Sequence, residues 1–401
     1  MNQYYVLTII GALVFAAIGL SSPMISLYLE SLGASYAFIS IVLTSYTVTA
    51  LVFNYAWGRI SDVAGKRKAF LVLGLGGMAL ANLLLSIIPN VESAWLVRFL
   101  EGASMAAYGT ISLALMGDLL EQEAAGVRGR KGRRMGLYRG LASLAFAGAA
   151  VFSGRLADSS GLRLVFAVCA AVYLVACLVA LVAIKEPPPL RTVQPVSPVP
   201  TVKKARTGLG ELPILFLLGV LLWNLAHNAS TSMWPNYMAS LGYTKSALST
   251  LWGFAAFIET PSMFLVGALS DITGRAAMLA AGAAGIGVVN FGYLTLAAHL
   301  PALLGIQVLR GFGFGSYTAS AMVFAAESGD ARTRGKASGV FYAAGSAGQL
   351  IGTFMGGNLV QLLGFSALYL TCGLLGLVAA ICFIALAARQ RTKSDPSFIP
   401  S

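Results

Sequence analysis

Apolar residues run through this chain in stretches longer than a strand or a soluble helix needs, and short polar segments break them at intervals. Continuous runs lie at 5–29, 37–57, 69–88, 93–120, 135–157, 162–184, 211–240, 246–267, 276–298, 301–327, 337–361 and 364–388. Each reaches the roughly 20 residues a helix needs to cross about 30 Å of hydrocarbon. In lipid every backbone N–H and C=O must be paired, within a helix or around a closed barrel. Barrel strands would alternate apolar and polar residues over about ten positions, and these runs do not alternate. The pattern predicts an all-α membrane protein with twelve transmembrane helices.

Composition sharpens this. Of 401 residues 57% are apolar and 10% charged, and the mean hydropathy is +0.79, values incompatible with a water-soluble globule. The net charge of +12 is unevenly distributed. The segments after the second, fourth, sixth, eighth and tenth spans, with the C-terminal tail, hold 21 of the 27 Lys and Arg, among them Arg59, Lys66, Arg67 and Lys68, the 128–134 cluster, Arg275 and Arg389. The opposite loops hold Arg163 and Lys245, with Arg155 near a helix end. The positive-inside rule therefore places both termini in the cytoplasm of a multi-pass inner (cell) membrane protein. The positive charge reads as topology and attraction to anionic lipid, and no nucleic-acid partner is expected.

The N-terminus lacks a positive leader segment and its first apolar run is too long for a signal-peptide core, so it reads as an ordinary first span. Cys169, Cys177, Cys372 and Cys382 all fall inside apolar spans, where a thiol acts as a small apolar group, and neither a disulfide nor a metal is expected. The one long break, 185–210, is rich in proline and flanked by basic residues, which reads as an extended cytoplasmic linker. The expected organisation is a six-helix bundle at 1–184, this linker, a second six-helix bundle at 211–388 and a tail at 389–401.

The halves repeat one another. GRISDVAGK at 58–66 returns as GALSDITGR at 267–275, an offset of 209, and Gly102 and Asp118 map onto Gly311 and Glu327 at the same offset. Past a deletion in the second half, Gly136, Gly154, Gly161 and Phe166 map onto Gly339, Gly357, Gly364 and Tyr369 at 203. Two parallel repeats of six helices follow.

Twelve spans in two halves, a long central loop and a doubled GxxSDxxGK/R resemble the major facilitator superfamily of secondary transporters over almost the whole chain. Arg98, Glu101 and Gly102 (RFLEG) are similar to that family's second motif. Its third, efflux-associated Gly-Pro motif is not met: Ala149 and Ala150, then Ser153 and Gly154, stand in its place. The resemblance implies a monomeric transporter of a small-molecule substrate, with no cofactor, that works by rocking two pseudo-symmetric bundles. The residues themselves suggest a cytoplasmic gate. Gly58 and Gly267 would let a helix approach closely, Asp62 and Asp271 would face a neighbouring helix N-terminus, and Lys66 and Arg275 would reach Asp118 and Glu327. The alternative is that these charges only anchor loops at the lipid surface.

Charges inside a membrane cost about 2.5–3.5 kcal/mol each on insertion scales, so they mark function. Arg98, Glu101, Arg139, Glu259 and Arg310 qualify. Glu101 and Arg310 occupy equivalent positions in the two repeats and could pair across a central cavity; equally, Arg98 and Glu101 could pair within one helix at i,i+3. Glu259 lies midway along the eighth span, two residues before Pro261, with no cation within one turn. It leads the candidates for proton coupling, ahead of Glu101 and His227. Substrate-cavity candidates are Arg98, Glu101, Arg310, Asn224, His227, Asn228, Gln307 and Tyr342, with Tyr46, Tyr108, Tyr317 and Gln349 as possible additions and Trp234 near the outer end of the seventh span. The glycines at 311–315 lack the Lys-Ser/Thr ending of a phosphate loop, and no catalytic constellation has a plausible setting, so an enzyme is not expected. Export by proton antiport is favoured over uptake because 23–35 (PMISLYLESLGAS) resembles efflux members. The alternatives are a proton symporter for a sugar, nucleoside or organic acid, and a non-transporting sensor of the same architecture.

Overall fold

The computed structural model describes residues 3–123, 130–186, 212–327 and 334–394, and among these residues the regular structure is entirely helical. In order they form α1 (Gln3–Ser21), α2 (Ile25–Ser31), α3 (Tyr36–Ala64), α4 (Arg67–Ile87), α5 (Val91–Glu123), α6 (Arg130–Ser160) and α7 (Leu162–Ala183). The second half supplies α8 (Ile214–Ser240), α9 (Lys245–Thr273), α10 (Arg275–Leu296), α11 (Leu300–Glu327) and α12 (Arg334–Ser394).

Twelve membrane crossings follow. Ten stretches are long and apolar enough by themselves, and one of them, Ala337–Gln390, spans 54 residues and holds two crossings. The helix α11, 28 residues long, makes the twelfth. Two boundaries differ from the sequence reading. The first span, expected as one run over 5–29, is interrupted between α1 and α2 at Ser22, Pro23 and Met24, because proline lacks the N–H that the helix ladder needs and disfavours helix in the residue before it. The expected tail also begins as helix, since α12 continues to Ser394. The linker from 187 on lies outside the described residues.

The repeat is written into the backbone. The described glycines of positive φ are Gly33 and Gly242, Gly65 and Gly274, Gly161 and Gly364, three pairs related by the same two offsets. Each sits where a helix must stop and the chain reverse, in a region of φ/ψ that side chains rarely adopt. Gly364, at φ 81°, is what divides α12 into its two crossings. The tertiary anchors repeat too. Tyr28 Oη donates to the Leu85 carbonyl at 2.6 Å and Tyr237 Oη to the Tyr293 carbonyl at 2.8 Å, fixing α2 to α4 and α8 to α10.

Contacts group the chain into two units. Unit 1 contains α1, α2, α4 to α7 and α3 from Val42 onward, and also the 244–253 segment of α9; unit 2 contains the rest of the second half together with the 35–41 segment of α3. They thus differ from the expected bundles by two exchanged segments. In unit 1 the interior is built from Leu7, Ile10 and Val14 of α1, Leu71, Leu75 and Met78 of α4, Ile111 and Leu115 of α5, and Tyr173 and Ala176 of α7. In unit 2 Phe216 of α8 stacks on Phe324 of α11 with centroids 4.4 Å apart, amid Leu279, Ala283, Phe341 and Phe383. Large apolar side chains such as Leu178, Val182, Leu362 and Ile384 remain exposed, as expected where the surrounding solvent is lipid.

Candidate functional site

The second copy of the doubled motif forms a compact polar hub. Ser270 turns its hydroxyl back onto the Gly267 carbonyl at 2.8 Å, and in the first copy Ser61 does the same to Gly58 at 2.9 Å. Both serines are buried, so their hydroxyls are satisfied locally. Arg275 then gathers the remaining groups. Its Nη1 contacts Ser270 Oγ, and its Nη2 lies 2.6 Å from Asp271 Oδ1 and 3.2 Å from Glu327 Oε1. This ties the α9–α10 turn to the end of α11. The equivalent side chains Asp62 and Asp118, expected to work with Lys66, lie outside the described residues.

In this structure the carboxylate of Asp271, expected at a neighbouring helix N-terminus, is held by Arg275 one turn on, since a guanidinium can serve two carboxylates at once. The close helix approach expected at Gly58 and Gly267 is not made among the described residues. Among the described residues a methyl at Gly267 would meet nothing within 4 Å, and one at Gly58 would meet only Thr110 Cγ2 at an ordinary 3.5 Å. The tight crossings occur at Gly102 and Gly311 instead, where a methyl would stand 2.6 Å from the Tyr46 carbonyl oxygen and 2.8 Å from that of Ala255. Those glycines bring α5 against α3 and α11 against α9, and so set the position of the membrane-embedded charges beside them.

In unit 1 these charges are Arg98 and Glu101 of α5. Both are buried, and Arg98 Nη1 pairs with Glu101 Oε2 one turn away, the within-helix arrangement of the two weighed from sequence. Tyr46 of α3 completes the group, with the guanidinium carbon 4.3 Å from its ring centroid. A cation over an aromatic face gains from the ring quadrupole, more so where water is excluded. Tyr173 and Cys169 of α7 lie within electrostatic reach of Glu101. Tyr108 is buried at the α4–α5 contact, beside Tyr138, and Arg139 is exposed.

Unit 2 assembles a larger cluster. Arg310 Nη1 lies 3.5 Å from Gln307 Oε1, which also accepts from Tyr293 Oη at 3.2 Å, and its guanidinium stands 6.0 Å from the Trp234 ring centroid. Glu259 of α9 and His227 of α8 are both within electrostatic reach of Arg310. Glu259, without a cation nearby in sequence, therefore has one in space. An aromatic wall adjoins: Trp223 stacks on Tyr317 at 3.6 Å and on His227 at 4.8 Å, and Phe314 packs on His227 at 5.1 Å. Asn224 Nδ2 donates to Tyr317 Oη at 2.9 Å, and Asn228 Nδ2 to the Asn224 carbonyl at 2.8 Å.

The structure thus brings Asn224, His227, Glu259, Gln307, Arg310 and Tyr317 into one neighbourhood. Tyr342 is 59% exposed and its ring packs on Phe341. Trp223, Phe314 and Tyr293 were missed from the sequence, because inside an apolar run an aromatic residue carries no sign of whether it packs or presents a face.

The comparisons with known proteins agree with this architecture. A family model described as Major Facilitator Superfamily matches residues 7–297 and 216–399. An MFS-type transporter of Methanocaldococcus jannaschii, MJ1560, is 22% identical over 382 residues, covering 91% of this chain and 92% of its own. The multidrug resistance protein MdtG of Dickeya zeae is 31% identical over 178 residues, 43% of this chain and 41% of that one. The crystal structure of a mutant of the nucleoside transporter NupG superposes with a TM-score of 0.80 at 16% identity, covering 96% of this chain and all of that one. This chain, a membrane transporter rather than an enzyme, belongs to the Major Facilitator Superfamily.

Proposed function

We propose that the protein is a proton-coupled secondary transporter of a small organic solute, working by alternating access and exporting its substrate. The observation that carries the coupling is the membrane-embedded arrangement of Glu259, Arg310 and His227, drawn from three helices of unit 2. A carboxylate within electrostatic reach of a guanidinium in an apolar span can gain or lose a proton as that cation nears or withdraws, so binding and release of H⁺ would alter how α9 and α11 interact. One proton moving down about 100 mV supplies about 2.3 kcal/mol, enough for roughly a 50-fold gradient of a neutral solute. The distribution of Lys and Arg supports cytoplasmic termini in a cell membrane. Export is supported by partial relatives named for multidrug resistance, MdtG of Dickeya zeae and Stp of Mycobacterium tuberculosis. The unmet Gly-Pro motif at Ala149 and Ala150 favours the second reading, proton symport into the cell.

The test is reconstitution into liposomes with an interior pH dye and a panel of drugs, nucleosides, sugars and organic acids under an imposed pH gradient. The expected result is solute-dependent proton movement that Glu259→Gln abolishes while solute binding persists. Accumulation or extrusion still driven by the pH gradient in Glu259→Gln would overturn the coupling assignment, and the sign of the movement separates antiport from symport.

A further inference from the structure

Where α10 begins and α12 nears its end, the two helices border a groove of about 500 Å³, lined by Ala277 and Ala280 of α10 and by Ile384, Ala387 and Ala388 of α12. Ligand clefts occupy about 300–1,000 Å³. All five residues are apolar, and all belong to unit 2. The internal register shows why the groove exists. Lys68, Leu71, Ile184 and Lys185 of the first half correspond, at 209 and 203, to Ala277, Ala280, Ala387 and Ala388, while Leu181 corresponds to Ile384. Leu71 and Ile184 are buried in the interior of unit 1. Four large side chains have thus become alanine at this corner of unit 2, and the close packing that interiors normally reach is absent from it.

The polar groups change together with the apolar ones. In the first half Gln3 holds the end of α7: its Nε2 donates to the Ala183 carbonyl at 3.1 Å and its Oε1 accepts from Lys185 N at 3.0 Å. Glu186 then meets the first turn of α4, with both carboxylate oxygens 3.2 Å from Lys68 N. In the second half the register puts Leu212 at the place of Gln3 and Arg389 at the place of Glu186. The N-cap of α10 is Gly274, which has no side chain to offer the positive end of that helix. Arg275, at the head of α10, is engaged by Asp271 and Glu327. Arg389 is exposed, and Arg391 and Lys393 follow it before α12 ends at Ser394. An anion and bulky side chains in one half are therefore answered by a cation and a hollow in the other.

We propose that the groove binds one anionic phospholipid, an acyl chain filling the space left by the four alanines and the headgroup phosphate taking the role that the Glu186 carboxylate has in the first half. Ile384 and Ala388 are exposed, so a chain can enter from the outer side of the bundle. An apolar groove alone would accept any lipid tail. The reversal of charge from Glu186 to Arg389 selects a headgroup of net negative charge, as basic residues near a membrane surface do. Burial of methylenes then supplies affinity, and charge-assisted bonds to phosphate supply the preference. Such binding needs neither a transported substrate nor a proton gradient.

The test uses the full chain in detergent, read by native mass spectrometry and thermal melts, with phosphatidylglycerol as the probe. Phosphatidylcholine with the same acyl chains and inorganic phosphate serve as comparisons. Phosphatidylglycerol is expected to persist as a single discrete adduct and to raise the melting temperature, phosphatidylcholine to do both more weakly, and inorganic phosphate to do neither. Ala280→Leu combined with Ala387→Ile restores the side chains of the first half. It should weaken phosphatidylglycerol binding about tenfold, the loss of roughly two buried methylenes, without lowering the lipid-free melting temperature. Arg389→Glu restores the first half's charge at an exposed position, so it remains readable if the filled groove fails to fold; it should abolish the preference for phosphatidylglycerol. Binding unchanged in both variants would overturn the proposal. So would equal binding of the two lipids by the unmodified protein, which would make the groove an ordinary part of the lipid annulus, or a melting shift from inorganic phosphate alone, which would mean an ion site without a chain.

Discussion

Arg275 Nη2 stands 3.2 Å from Glu327 Oε1 while Nη1 of the same guanidinium contacts Ser270 Oγ, so one cation joins the α9–α10 turn to the end of α11. Both carboxylates it serves are more than half exposed, and such pairs are worth about 0.2–1 kcal/mol each. Glu327→Gln should therefore lower the melting temperature in detergent by no more than about 2 °C. Arg275→Ala, which leaves Asp271, Ser270 and Glu327 all without that partner, should lower it further. Equal effects of the two substitutions in thermal melts would mean that the hub does not act as a unit.

The buried pair behaves differently. Arg98 and Glu101 are both shielded from solvent, and removing one partner of such a pair leaves an uncompensated charge that costs about 3–5 kcal/mol. Glu101→Leu alone should destabilise the protein severely, whereas Arg98→Met with Glu101→Leu should recover most of the loss. Thermal melts of the single and double variants test this. A double variant that is stable but inactive in reconstituted flux would assign the pair to transport rather than to folding.

The internal register made much of this fold legible in advance. Offsets of 209 and 203 link the turn glycines, the motif serines and the paired crossings at Gly102 and Gly311, because these roles demand a particular residue type that the repeat preserves. The residues that meet the first turns of α9 and α3 follow the same register, yet the sequence reading passes over them. Asp158 and Gln361 differ in charge, and their partners are backbone N–H groups, which no residue letter records. The Trp223–Tyr317 stack was hidden in a different way, since apolar periodicity marks a helix as embedded without saying which ring meets which. Glu259 reads in the sequence as an isolated carboxylate, because Arg310, which lies within electrostatic reach of it, is 51 positions away on another helix.

The glycines yield a last prediction in which two alike substitutions have opposite signs. Gly311→Ala places a methyl 2.8 Å from the Ala255 carbonyl oxygen, a backbone atom that cannot rotate away, and overpacking of this kind costs about 1–3 kcal/mol. Gly267 lies in the body of α9 with nothing within 4 Å of the added methyl among the described residues, so alanine there should stabilise by about 0.5–1 kcal/mol through helix propensity. Melting temperatures in detergent should fall for Gly311→Ala and rise for Gly267→Ala. Flux should nonetheless drop several-fold in Gly267→Ala, because a surface kept bare of side chain at a position repeated in both halves is useful only to a state of the cycle in which another helix packs against it. A Gly267→Ala protein that melts higher and transports at the unmodified rate would show that the first glycine of GxxSDxxGR serves no close approach at any stage, and would confine the motif's work to Ser270, Asp271 and Arg275.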